Sequence, residues 1–208
     1  MMFEQNIDMP CPMCGIKGQF MMITHIDEIP YFGEHTQLTL LCHSCGWRQT
    51  DFIPPEGKNP GCLSMVLDSK EKLNTRVVRS SSCSIQIPEL DLLVNPGSNS
   101  TGYVSNVEGV LQRFLDVIDL VSHDLLGNSE IEKPDESLQQ IAHMKHHLQN
   151  IGNADSMAIT LEFLDPHGLS TILHDDVQHR LLTDEELAVL PVGPDPAVFS
   201  KGDVNHGV

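Results

Sequence analysis

The sequence is poor in basic residues. Twelve lysines and arginines stand against 29 aspartates and glutamates, which gives a formal net charge of −17. Proteins that bind DNA or RNA rely on clusters of lysine and arginine that displace the counterions of the phosphates. An acidic chain with scattered basic residues would start from repulsion. The composition therefore argues against a nucleic-acid partner and favours a protein partner that carries basic groups.

Long apolar runs are also missing. No stretch approaches the roughly 18 apolar residues that identify a transmembrane helix. The first ten residues, MMFEQNIDMP, include Glu4 and Asp8, whereas a secretory signal has basic residues followed by an apolar stretch. We therefore expect a cytoplasmic protein with no membrane partner.

Aromatic residues make up only 5% of the chain, although 40% of its residues are apolar. A core can therefore form, and it has to be built mostly from aliphatic side chains. A length of 208 residues suits one medium domain with a small companion, or two small domains.

Cysteine is present in a specific pattern. Of the six cysteines, four lie in two Cys-x-x-Cys-Gly units, CPMCG and CHSCG, and these are Cys11, Cys14, Cys42 and Cys45. A disulfide framework is not expected in an intracellular chain of this size. Two residues separate the cysteines of each unit, and this spacing lets both sulfurs of a unit bind the same ion. Two such units supply the four ligands of a tetrahedral ion, as in zinc ribbons. We predict one structural Zn²⁺ on four thiolates, in preference to iron or a redox dithiol; four thiolates leave no position open for catalysis.

The segment between the two units predicts a zinc ribbon over residues 1–53. QFMMITHI and QLTLLC have strand composition, and IPYFGEH lies between them. Tyr31 and Phe32 are adjacent, and neighbouring side chains of a strand point to opposite faces. One of the two is therefore expected in the core and the other at a partner surface. Trp47 either covers the zinc site or anchors a partner together with Arg48, because both residue types are enriched at binding hot spots.

Residues 52–61, FIPPEGKNPG, read as a linker to a second region that contains both strands and helices. Alternation of polar and apolar residues predicts strands over 84–87 and 159–163. DPHG is a turn, and LSTIL is predicted to be the strand that returns from it. LTDEELAVL is predicted to be a short helix. The region spans residues 62–190, and residues 191–208 are predicted to be a loose tail.

A helical hairpin is predicted between those strands, over about residues 105–152. Ser105 and Glu108 form a capping-box pattern, and apolar residues then recur at helical spacing as far as Gly127. Pro134 opens the second helix and Gly152 follows its end. The fold class is therefore α+β.

Several further polar residues are expected to be structural. His143, His146 and His147 share a helix, but they do not complete a metal-binding H-E-x-x-H motif, so a solvated helix face is predicted. Cys83, in a predicted strand, is expected to be a small buried residue. Cys62 follows the Pro- and Gly-rich connector, and no function is assigned to either cysteine.

Several of these motifs together resemble the ZPR-one family of zinc-finger proteins. In the finger they are CPMCG, IPYFGE and CHSCGWRQTD. In the second region they are RVVRSSSCSIQIPELDL, GYVSNVEGVL and LEFLDPHGLS. The resemblance covers about residues 11–182, and the order and spacing of the motifs make it specific.

The resemblance implies a finger followed by a companion A domain, which is a double-stranded β-helix with an inserted helical hairpin. This sequence carries one such module, like the archaeal form, whereas eukaryotic members carry two. Eukaryotic members bind the translation elongation GTPase that delivers aminoacyl-tRNA and assist its folding. The resemblance therefore implies a zinc-binding folding factor or adaptor that is not an enzyme.

Two alternatives remain open at this point. A nucleic-acid-binding zinc ribbon is disfavoured by the charge. A metalloenzyme of the β-helix type would need two histidines and a carboxylate that converge inside the barrel, and the predicted strands offer neither H-x-D nor H-x-H.

Overall fold

A computed structural model describes residues 2–54, 59–127, 134–153 and 156–191. Over these ranges the chain forms twelve strands in three sheets, together with three α-helices and two short 3₁₀ helices. None of the helices in the described ranges has the length and apolar character needed to cross a bilayer.

The first sheet is the predicted finger. Its four antiparallel strands have the order β1-β2-β3-β4. They are β1 (Met2–Ile7), β2 (Phe20–Ile29), β3 (Gly33–Cys42) and β4 (Arg48–Ile53). Strands β2 and β3 confirm the two predicted strands and pair along their whole length, from Phe20 opposite Cys42 to Ile29 opposite Gly33. The edge strands β1 and β4 were not predicted.

The remaining strands form two sheets of a jelly roll. A five-stranded sheet has the order β12-β5-β10-β7-β8, and a three-stranded sheet has the order β11-β6-β9. Their bounds are β5 (Gly61–Leu67), β6 (Arg76–Arg79), β7 (Ser84–Ile87), β8 (Leu92–Val94), β9 (Tyr103–Asn106), β10 (Ile159–Asp165), β11 (Thr171–Leu173) and β12 (Gln178–Leu181). The α+β architecture, with a double-stranded β-helix behind a zinc ribbon, is confirmed.

The alternation in β10 shows how the sequence builds the core. Ile159, Leu161 and Phe163 are completely buried, whereas Thr160 and Glu162 between them are half-buried. Side chains alternate between the two faces of a strand, so one face of β10 supplies the core.

The predicted helical hairpin is confirmed as α1 (Val107–Gly127) and α2 (Pro134–Gln149). Val107, Val110, Phe114 and Ile118 of α1 are buried in the jelly-roll core at helical spacing. The predicted short helix is α3 (Asp184–Val189), which begins with a capping box formed by Thr183 and Glu186.

The start of α1 differs from the prediction. Asn106, not Ser105, caps the helix, because its Oδ1 accepts a hydrogen bond of 2.9 Å from the backbone N–H of Gly109. Ser105 belongs to β9, where it pairs with Val77. The capping box at Ser105 and Glu108 is therefore wrong by one residue; asparagine caps a helix as well as serine does.

The strand after the DPHG turn also differs from the prediction. Thr171–Leu173 pairs with β6 in the three-stranded sheet, so the chain changes sheets at the turn instead of forming a hairpin with β10. Asp165 stabilises the turn at which the chain passes from one sheet to the other. It is 1% exposed, and its carboxylate accepts hydrogen bonds from the Ser80 and Ser82 hydroxyls and from three backbone N–H groups of residues 167–170.

The division into a finger over 1–53, an A domain over 62–190 and a tail over 191–208 stays a prediction. Residues 192–208 of the tail and 55–58 of the connector lie outside the described residues.

Candidate metal centre

The two Cys-x-x-Cys-Gly units fold into matching turns. The N–H of Gly15 donates to the carbonyl of Cys11 over 2.8 Å, and the N–H of Gly46 donates to the carbonyl of Cys42 over 2.9 Å. Both glycines have positive φ, 71° and 76°, which explains why glycine follows the second cysteine of each unit.

The four sulfurs converge on one point. All four Sγ atoms lie within 4.8 Å of one another, and they form the sole group of three or more potential metal ligands within the described residues. The Cys11–Cys45 and Cys14–Cys42 sulfur pairs are both 3.8 Å apart. Four bonds of about 2.3 Å in a tetrahedron require sulfur separations of about 3.8 Å, so the set fits Zn²⁺.

Backbone amides favour the thiolate state that a metal requires. The N–H of Met13 donates to the sulfur of Cys11 over 3.4 Å. The backbone N–H of Cys45 is the main cause that lowers the pKa of Cys42 to about 7. Such second contacts orient the ligands and stabilise their charge.

The structure places Trp47 inside the finger. Trp47 is 6% exposed and its ring stacks on Phe20 with centroids 5.9 Å apart. The indole N–H donates to the carbonyl of Ser98 over 3.4 Å. Trp47 therefore packs with Cys11 and Cys42 on the buried side of the metal centre, and its role in binding a partner stays a prediction.

The other three candidate partner residues lie at two separate places. Tyr31 and Phe32 sit in the turn between β2 and β3, not in a strand, so the expected alternation does not apply. Tyr31 is 71% exposed, with the Arg76 guanidinium 4.7 Å from its ring centroid, and Phe32 is half-buried. Arg48 is exposed beside the second Cys-x-x-Cys-Gly unit. The hairpin of ten-residue strands separates these places by about 30 Å.

A buried polar seam joins the finger to the jelly roll, and sequence reasoning missed it. Asp51 of β4 is 5% exposed. Its carboxylate accepts hydrogen bonds of 2.6 Å from both the N–H and the hydroxyl of Ser81. Burial raises the pKa of Asp51, and the Ser81 hydrogen bonds oppose part of that rise. Periodicity gave no signal, because Gln49, Thr50 and Asp51 are consecutive polar residues.

A backbone bridge lies beside this seam. The N–H of Gly102 donates to the carbonyl of Thr50 over 2.6 Å, and the N–H of Thr50 donates to the hydroxyl of Thr101 over 3.0 Å. Residues 98–102 thus contact the finger through both Trp47 and Thr50.

Cys62, Cys83 and the histidines of α2 lie outside the four-sulfur group. Cys62 and Cys83 are buried, and burial raises the pKa of both thiols, that of Cys62 to about 11. The Nε2 atoms of His143 and His147 lie 3.0 Å apart on the surface of α2, which leaves their predicted role as a solvated face untested.

The second region matches the ZPR1 jelly-roll domain over residues 71–188. The chain belongs to the ZPR1 family. A ZPR1-like protein of Methanocaldococcus jannaschii is 37% identical over 189 residues, 91% of this chain and 90% of that protein. A ZPR1-like protein of Pyrococcus horikoshii is 35% identical over 88% of this chain and 80% of that protein. The ZPR1 chain described here is therefore of the archaeal type.

Eukaryotic ZPR1 proteins match over a smaller share of their length. The zinc finger chaperone zpr1 of Schizosaccharomyces pombe is 30% identical over 54% of this chain and 24% of that protein. The relatives are zinc-finger proteins, and the four cysteines are positioned to bind one ion. The cofactor of this ZPR1 chain is accordingly one structural zinc ion.

Proposed function

We propose that this ZPR1 chain is a zinc-dependent interaction protein that assists the folding or assembly of a protein client. The client that we propose is the translation elongation GTPase that delivers aminoacyl-tRNA, as the family resemblance implies. We place the activity in the cytoplasm and assign no catalytic step to it. One relative is named a chaperone, which supports a protein client in general terms.

The observation that carries the proposal is an apolar surface on the metal-binding loops. Met9, Met13 and Ile16 are 47%, 50% and 46% exposed, and Met13 shares a cleft with Arg48 beside the exposed sulfurs. We call these four residues the knuckle surface. Exposed apolar groups that cluster on a rigid scaffold indicate a binding surface. Methionine adapts to varied apolar partners, which suits a client that is not fully folded.

The charge of the chain favours a basic client, and its nearest cluster of carboxylates in the finger lies at the opposite end from the knuckle surface. The net charge of −17 favours encounter with a basic partner. Exposed carboxylates of Asp27, Glu28 and Glu34 surround the hairpin turn near Tyr31. We expect the carboxylates to accelerate association and the apolar residues to supply most of the affinity.

The nucleic-acid alternative gains no support from the folded chain. Among the described residues, Arg48 is the one basic residue that lines the cleft beside the metal loops. At about 150 mM salt we expect no binding to DNA or RNA oligomers tighter than the weak non-specific range of about 10⁻⁴–10⁻⁶ M.

Calorimetry with a purified archaeal elongation factor tests the proposal. Met13→Ser and Arg48→Ala remove parts of the knuckle surface without touching a zinc ligand. We expect at least one of them to weaken binding about tenfold, equal to about 1.4 kcal/mol, with unchanged zinc content. Met157→Ser is the matched control, because Met157 is 44% exposed outside the finger.

Tyr31→Ala and Phe32→Ala probe the other end of the finger. If they alone weaken binding, the client binds the hairpin turn and not the knuckle surface. The client assignment fails if the unaltered chain does not bind the factor in either nucleotide state.

A further inference from the structure

A cavity of about 250 Å³ lies between α1 and the jelly-roll sheets. Phe114 and Val117 of α1 and Ile85 and Val94 of β7 and β8 form its apolar walls. Val117 is 45% exposed, although it is apolar and faces this cavity. Sites for drug-sized ligands are larger, about 300–1,000 Å³, so this cavity suits a group the size of one amino acid.

Arg79 lines the cavity and carries a charge that no carboxylate among the described residues neutralises. Only 7% of the surface of Arg79 is exposed to solvent. Its guanidinium donates to the Ser100 hydroxyl over 2.6 Å and to the Cys83 carbonyl over 2.5 Å. Its Nε has no hydrogen-bond partner. Within the described residues no carboxylate lies within ion-pair distance of Arg79, and a buried cation without a counter-charge is costly.

A second arginine adjoins the first across an aromatic ring. The Arg113 guanidinium lies 4.1 Å from the ring centroid of Tyr103, and the Arg79 guanidinium lies 5.8 Å from it. Arg113 lines the same cavity and is exposed, and no carboxylate in the described part of the chain pairs with it. Two unneutralised cations at one cavity are unexpected in a chain with a net charge of −17.

The same wall offers neutral donors. The Tyr103 hydroxyl is protonated at neutral pH, as in any tyrosine, and can donate a hydrogen bond. Burial raises its pKa further. The Asn95 side chain also lines the cavity; its Oδ1 is taken up by the Ser84 hydroxyl, which leaves the amide N–H groups for another acceptor. The cavity thus combines positive charge and donors with an apolar wall.

We propose that this cavity is a binding site for a carboxylate carried on a short branched aliphatic stem. The carboxylate would pair with Arg113 and offset part of the positive charge that Arg79 adds to the cavity, while the stem packs between α1 and the sheets. A planar carboxylate fits the geometry of an arginine fork, and a single charge costs less to place beside the apolar wall than a doubly charged anion does. The inference does not depend on the client assignment, because the residues that line the cavity differ from those of the knuckle surface.

The test uses the zinc-loaded full chain and 4-methylpentanoate as the probe, followed by amide chemical shifts in NMR. We expect saturable shifts around Gly97, Tyr103 and Val117, with a dissociation constant of about 1 mM, typical of a ligand of this size. The neutral isostere 4-methylpentanamide should bind about tenfold more weakly or not at all, because it lacks the charge that pairs with arginine. Equal binding of acid and amide overturns the proposal.

Variants separate the pairing from the fold. Arg79→Met removes two structural hydrogen bonds and can unfold the chain, so Arg113→Gln is the informative change. We expect it to weaken 4-methylpentanoate binding about tenfold, whereas Arg48→Gln, which removes the same charge from the knuckle surface, leaves it unchanged. Unaltered affinity in Arg113→Gln overturns the proposal.

Two further probes decide the chemistry and the source of the ligand. Tighter binding of 3-methylbutyl phosphate than of 4-methylpentanoate overturns the carboxylate class. A tetrapeptide ending in leucine with a free terminal carboxylate is then compared with its amidated form. A peptide preference over the free acid assigns the site to polypeptide chain ends, and the reverse order assigns it to a small acid; both results support the carboxylate site.

Discussion

Gly102 occupies a position where a larger side chain does not fit. A Cβ there would lie 3.0 Å from the Thr50 carbonyl oxygen, 3.0 Å from Asp51 Oδ1 and 3.1 Å from the Arg79 carbonyl oxygen. All three atoms are held by the seam or by a strand. We expect Gly102→Ala to reduce the free energy of unfolding by about 1–3 kcal/mol, measured by urea denaturation.

Gly97→Ala is the control for that change, since a Cβ at Gly97 would meet no atom within 4 Å. Its effect should stay within about 0.5 kcal/mol. Equal stability of the two variants would mean that the seam adapts to an added methyl group.

Glu186 provides a pH-dependent contact at the residue scale. Its carboxylate forms two hydrogen bonds of 2.7 Å with Arg180, and this pairing lowers its pKa from the ordinary 4.5 to about 2. A lowered pKa in the folded state means that the pair stabilises the chain above pH 4.5 and loses its effect as pH falls through about 2. NMR titration of the carboxyl should show this value, and Arg180→Gln should return it towards 4.5; an unchanged value would rule out Arg180 as the cause.

Single residues differed in how well the sequence predicted them. The cysteines were predictable because the spacing of ligands within a turn is encoded locally. Asp51 and Arg79 were not, because their burial depends on strands that are distant along the chain. A charged residue in a sequence normally indicates a solvated surface, so buried charge at a seam or cavity is found only when the partners are known.

At the scale of elements, the start of α1 yields a direct test. Asn106→Ala removes the hydrogen bond to the Gly109 N–H and should cost about 1 kcal/mol of unfolding free energy. Ser105→Ala should change it by no more than about 0.5 kcal/mol. Thermal or urea unfolding of both variants measures the difference. A larger loss of stability in Ser105→Ala than in Asn106→Ala would show that Ser105 caps the helix.

Elements with strong periodicity were predicted, and weakly patterned ones were not. The helical hairpin and β10 have apolar faces that repeat along many residues. β1 is exposed at all but its last residue and β12 at every residue, so neither shows alternation. β11 has only three residues, and its pairing with β6 is a property of the jelly-roll topology that local sequence does not contain.

At the scale of the whole molecule, the metal centre supports more than the finger. Cys42→Ser removes one of the four ligands, and we expect zinc to fall well below one ion per chain. The finger should then unfold, and the amides of Ser81 and Gly102 should exchange faster because their acceptors are in β4. Metal analysis and amide hydrogen exchange measure both effects.

Cys62→Ser is the matched variant, since Cys62 is buried in β5 away from the four ligands, and it should retain zinc. In Cys42→Ser the amides of β10 should keep their protection. Full zinc retention in Cys42→Ser would contradict the metal assignment, and loss of protection throughout β10 would show that the two regions fold as one unit.

The position of β10 in its sheet affects the rate at which the chain folds. This strand lies between β5 and β7, and its register with β5 joins Gly61 to Asp165, roughly 100 residues apart, so closing the sheet carries a large entropy cost. The helical hairpin forms from neighbouring residues and can fold within microseconds. During synthesis, β5 and β7 leave the ribosome with no partner between them until β10 follows. A chain that we propose as a folding factor for another protein therefore passes through a slow, aggregation-prone stage of its own.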